Sequence, residues 1–66
     1  HPGIAISYSN IGSIYKDQGK YNEAFEYHNK AFKIFKKRLG TKHFYTTDTL
    51  QSMIRIKKYL TTAKSV

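Results

Sequence analysis

The 66-residue sequence has no cysteine. That excludes a disulfide and any metal site built on thiolates, and it fits a reducing, cytoplasmic setting. No apolar run approaches the ~20 residues that span a bilayer, and no signal-peptide pattern opens the chain, so no membrane span is expected. Acidic residues are scarce: four against twelve Lys and Arg, for a net charge of +8. The four do not make a catalytic pair. Asp17 falls at a helix end, Glu23 and Glu26 lie among lysines, and Asp48 stands alone. There is no glycine-rich phosphate loop and no HExxH-type metal motif. The sequence therefore predicts no catalytic residues, no cofactor and no metal, and it reads as a non-enzyme. An initiator methionine is also missing, since the chain begins at His1. The expectation is a piece of something longer.

What is present is a pattern of large and small residues at helical spacing, centred on Tyr8 to Ala31. His1-Pro2-Gly3 suits a helix start, because proline's missing N–H has no partner in the first turn anyway. At about 100° per residue, Ile4, Tyr8, Ile11 and Tyr15 fall on one arc, flanked by Gly12 and Ile14. The opposite arc carries Ser9, Asn10, Ser13, Lys16 and Asp17, with Ile6 out of place among them. Asp17-Gln18-Gly19-Lys20 is the turn, and Gly19 can take the left-handed conformation that ends a helix. A second helix is expected from Tyr21 or Asn22, with Glu23 in its favourable first turn. On it, Ala24, His28, Ala31, Phe32, Phe35 and Leu39 share one face, and Glu23, Glu26, Lys30, Lys33 and Lys37 share the other. Gly40 stops this helix after Lys36, Lys37 and Arg38, whose charges suit a helix C-terminus.

The chain then begins to repeat itself. His43 lies 42 residues after His1, and the same shift sets Tyr8 against Leu50, Asn10 against Ser52 and Ile11 against Met53. Residues 43 to about 59 are thus read as a second copy of the first helix. The copy departs at Ile54 and Lys57, which replace Gly12 and Tyr15, and the chain ends in a tail without a second Gly-Lys-Tyr turn.

Tyr8-x2-Ile11-Gly12-x2-Tyr15, followed by Gly19-Lys20-Tyr21-Asn22-Glu23-Ala24 and then Ala31, resembles the tetratricopeptide repeat. The 42-residue spacing and the His-Pro opening resemble the long repeats of the kinesin-light-chain type. His28 departs from the pattern by standing where the family has a large aromatic, and no proline closes the second helix. The resemblance implies an all-α fold: an antiparallel hairpin over residues 1–42, plus the first helix of a following or terminal capping repeat over residues 43–66, together a segment of an α-solenoid. It also implies that the polar arc of the first helix lines a concave groove. There Asn10 matches the asparagine with which the family bonds the backbone of a bound peptide. An amide suits that role because it both donates and accepts. Ile6, Ser9, Ser13 and Asp17 surround it, and Asp48, Gln51, Ser52 and Arg55 hold the equivalent face of the second copy.

The partner expected is a protein or peptide ligand, together with neighbouring repeats or another subunit. Three repeats or more are normally needed to bury such faces. The alternative is a structural spacer or terminal repeat in a large assembly, or an accessory to a catalytic domain elsewhere in the chain. A nucleic-acid surface ranks below both. The lysine stripe of the second helix could neutralise phosphates. Yet it lies opposite the apolar face, includes Glu26, and leaves the aromatics needed for base stacking pointing inward. His1, His28 and His43 are read as structural: two at helix starts, one facing the hairpin core.

Overall fold

The computed structural model describes the backbone of residues 2–65 and the side chains of residues 3–61. Three helices follow one another: α1 (Pro2–Asp17), α2 (Tyr21–Leu39) and α3 (Phe44–Ser65). There is no strand among the described residues. The fold is all-α, as the periodicity predicts. The helix α3 outruns its expected end, and most of the tail is helical. His1, the expected repeat partner of His43, lies outside the described residues.

The first turn forms as the glycine requires. Gly19 has φ +79°, where a side chain would be strained. The Lys20 N–H donates to the Tyr15 carbonyl at 2.9 Å and the Gly19 N–H to that of Lys16 at 2.9 Å. This Schellman pair satisfies the last carbonyls of α1 and turns the chain directly into α2. At the far end of α2, Gly40 has φ +90° and its N–H donates to the Lys36 carbonyl at 3.1 Å. His43 then caps α3: its Nδ1 accepts the Tyr45 backbone N–H at 3.0 Å, which requires a free lone pair on that nitrogen.

α2 is the middle helix and packs against both α1 and α3, which meet each other only sparingly. The result is an elongated body whose principal extents are 39 × 20 × 13 Å. Small residues set how closely α1 and α2 lie. Ala5, Ala24 and Ala31 are fully buried, and a Cβ on Gly12 would lie 2.8 Å from His28 Cδ2 and 2.9 Å from its Nε2. The imidazole therefore occupies the space a larger residue at position 12 would need. Tyr8, Tyr15 and Tyr27 fill the outer edge of this contact in a run of rings, 6.0 Å from Tyr8 to Tyr27 and 5.5 Å from Tyr15 to Tyr27.

One expectation fails here. Ile4, Ile11 and Ile14 are not buried against α2; they are 54%, 37% and 56% exposed. The covered stripe of α1 is Ala5, Tyr8, Gly12 and Tyr15, one residue round the helix. The reason is that α1 carries two apolar faces, and the close approach permitted by Ala5 and Gly12 selects the face with the smaller residues. α3 shows the converse. It buries Thr46, Thr49, Met53 and Ile56, which the 42-residue shift pairs with positions 4, 7, 11 and 14 of α1. The face α3 turns to α2 is thus the counterpart of the face α1 leaves open.

Candidate functional site

The polar side of α1 and the start of α3 border one cleft of about 180 Å³. From α1 come Ile6, Ser9 and Asn10; Ile6 is 40% exposed and Asn10 is exposed. From α3 come Tyr45, Asp48 and Thr49, with Phe44 beside them and Phe35 of α2 completing the lining. Phe35 is the pivot of this arrangement: it is buried with Ala5 and Ala31, and its ring lies 5.4 Å from that of Tyr45. The Thr49 hydroxyl is committed to the Tyr45 carbonyl at 2.7 Å, so it braces the first turns of α3 and has less to offer a ligand. Asp48 and Asn10 remain as exposed polar groups in the lining.

Of the residues singled out from sequence, Ile6, Ser9, Asn10 and Asp48 are brought together at this cleft. Ser13 and Asp17 lie further along α1, exposed and outside the lining. Gln51 and Arg55 are likewise exposed on α3 beyond it, and Ser52, the counterpart of Asn10, is half-buried. Sequence reasoning misses the aromatic part: the pattern assigns Phe35 only to the core and assigns Phe44 and Tyr45 no role. A signal existed. Phe44 and Tyr45 stand four and three residues before Asp48, the spacing of one helix face, but the 42-residue shift sets them against Pro2 and Gly3, which point to no aromatic lining.

Charge around the site is uneven. His28, buried on α2 beside Gly12 of α1, has its pKa lowered from 6.5, first by burial and second by the charge of Lys16; Asp48 acts in the opposite sense. Its Nδ1 has no hydrogen-bond partner, and neither has the buried Thr46 hydroxyl. Among the described residues no three His, Asp or Glu side chains gather into a metal site. No helix there is long and apolar enough to cross a membrane. Two larger hollows are basic. One, about 340 Å³, lies among Ile4, Ile34, Lys33, Lys37 and Arg38; the other, about 400 Å³, lies along α3 at Ile54, Lys57, Lys58 and Thr61. Tyr8, Tyr15 and Tyr27 are half-buried against one another and not laid out for base stacking, with Lys30 Nζ 5.7 Å from the Tyr8 ring centre and 5.2 Å from that of Tyr27.

A family model for the tetratricopeptide repeat matches residues 3–53, well over half the chain. The chain belongs to the tetratricopeptide-repeat family. No curated protein sequence and no solved structure matches it. Tetratricopeptide repeats are helical hairpins that serve as protein–protein interaction modules. In that light the hairpin α1–α2 and the separate helix α3 are parts of a tetratricopeptide segment, and protein is the class of partner it takes.

Proposed function

We propose that this tetratricopeptide segment binds an extended peptide or partner helix along the polar side of α1, with Asn10 bonding the ligand backbone. The observation that carries this reading is the cleft that joins Asn10 and Ile6 to Asp48 across two helices. An exposed amide beside an apolar patch offers a donor and an acceptor to a peptide unit and a seat for an adjoining side chain. Ser13, Asp17, Gln51, Ser52 and Arg55 extend the same polar side and would set specificity for a longer ligand. The ligand reaches them only if it runs along the groove beyond the cleft.

The segment works within a stack. Residues 1–42 form one complete unit and residues 43–66 supply the first helix of the next, or a terminal cap. The open face at Ile4, Ile11 and Ile14 supports this, because α3 has its counterpart positions covered by α2. A helix equivalent to α2, from a preceding repeat or another subunit, would cover the isoleucines in the same way. The 42-residue shift favours the long-repeat, kinesin-light-chain-like subtype over the 34-residue unit. A spacer role within a larger assembly uses the same open face and needs no groove ligand.

The test is Asn10→Ala in the full-length protein against a peptide selected on it from a displayed library. Loss of one net hydrogen bond predicts roughly a three- to tenfold weaker affinity with an unchanged melting temperature. Equal affinity for the variant would refute the groove mechanism and leave the spacer role.

A further inference from the structure

We propose that the α1–α3 cleft receives a lysine or arginine side chain of the bound peptide, an assignment that rests on the groove reading above. Size comes first. At about 180 Å³ the cleft is smaller than the ~300–1,000 Å³ typical of small-molecule pockets, and it suits one long side chain.

Chemistry selects which side chain. Among the described residues Asp48 is the one carboxylate in the lining, and no Lys or Arg lines the cleft. The two larger hollows have the opposite character, carrying Lys33, Lys37 and Arg38 or Lys57 and Lys58. In a chain of net charge +8, the cleft is therefore the place where local charge favours a cation. Phe44 and Tyr45, 70% and 43% exposed, add aromatic surface, which attracts an ammonium or guanidinium group through the ring quadrupole. Ile6 and Phe35 supply apolar surface for the methylene stem. The Ser9 hydroxyl oxygen is available to the charged head. The protein already uses this pairing internally: Lys30 lies over Tyr8 and Tyr27, and Lys20 Nζ is 5.8 Å from the Tyr15 ring centre. Because the net charge opposes a basic peptide at long range, the selectivity comes from contact and not from steering.

Four labelled nonapeptides of otherwise identical alanine–serine sequence, with Arg, Lys, norleucine or Glu at the centre, test this against the full-length protein by fluorescence anisotropy. The Arg and Lys peptides should bind about tenfold more tightly than the norleucine peptide, with Glu weakest. Asp48→Asn should remove most of the preference for Arg and Lys over norleucine, leaving the small part the rings supply. Asn10→Ala should weaken all four alike, because it acts on the backbone. If norleucine binds as well as lysine, or the basic preference survives largely intact in Asp48→Asn, the basic-residue assignment is wrong; a uniform loss in Asn10→Ala would then leave the groove standing. If none of the four peptides binds, both the assignment and the groove fall.

Discussion

The middle helix is held on its two sides by different chemistry. Against α1 it meets Ala5 and Gly12 with its own Ala24 and Ala31, and three tyrosines close the edge. Against α3 it meets Thr46, Thr49, Met53 and Ile56, braced at the two ends by ring contacts between Phe35 and Tyr45 and, at 5.1 Å, between Tyr21 and Tyr59. The first contact is small and close, fixed by sterics. The second is bulkier and more polar, and it leaves the Thr46 hydroxyl buried without a partner. The difference is one of closeness: the α1 side is fixed by small residues in contact, whereas α3 packs with larger side chains and leaves Leu50 and Ile54 39% and 44% exposed.

The comparison can be broken most forcefully at Phe35, which touches both sides. Phe35→Ala should cost about 3–5 kcal/mol, read by chemical denaturation of the full-length protein, and should empty the floor of the cleft as well. Gly12→Ala acts on the α1 side alone. A Cβ 2.8 Å from the His28 ring forces a shift, so the variant should lose about 1–3 kcal/mol even though alanine is the better helix former. Thr46→Val acts on the α3 side and has the opposite sign: replacing an unpartnered buried hydroxyl with a methyl of similar shape should raise stability by about 1 kcal/mol.

The smallest effect is the titration of His28, which both sides share. Its folded pKa lies below 6.5, so the unfolded chain takes up the proton first. The associated stability is complete above pH ~6.5 and is lost as the pH falls through the lowered folded value. Melting temperature against pH should therefore slope downward on the acid side. His28→Leu should remove that part of the slope; an identical slope would assign the acid loss elsewhere.

Much of this architecture was legible in the residues. Gly19 and Gly40 mark both turns because only a residue without a Cβ sits easily at positive φ. Ala24, His28, Ala31 and Phe35 declared the inner face of α2 because its other face is charged. The inner face of α1 was harder to read. Ile4 and Ile11 outweigh Ala5 and Gly12 on any hydrophobic scale, yet closeness of approach, which periodicity does not report, decided which stripe was covered. The cleft was half legible. Asn10, Ile6, Ser9 and Asp48 follow from the polar arc and its 42-residue counterpart. Phe44 and Tyr45 do not, because their 42-residue counterparts are Pro2 and Gly3, which carry no aromatic signal.

The central claim is that packing and recognition use different sides of α1: Ala5, Gly12 and the tyrosines toward α2, and Ile6, Ser9 and Asn10 toward a ligand. The most direct measurement is a backbone amide chemical-shift titration of the full-length protein with the arginine-centred peptide. The account predicts that the shifted amides cluster at Ile6, Ser9, Asn10, Tyr45 and Asp48, with Ile4, Ile11 and Ile14 unmoved. Shifts centred on those three isoleucines, with the cleft residues silent, would contradict it.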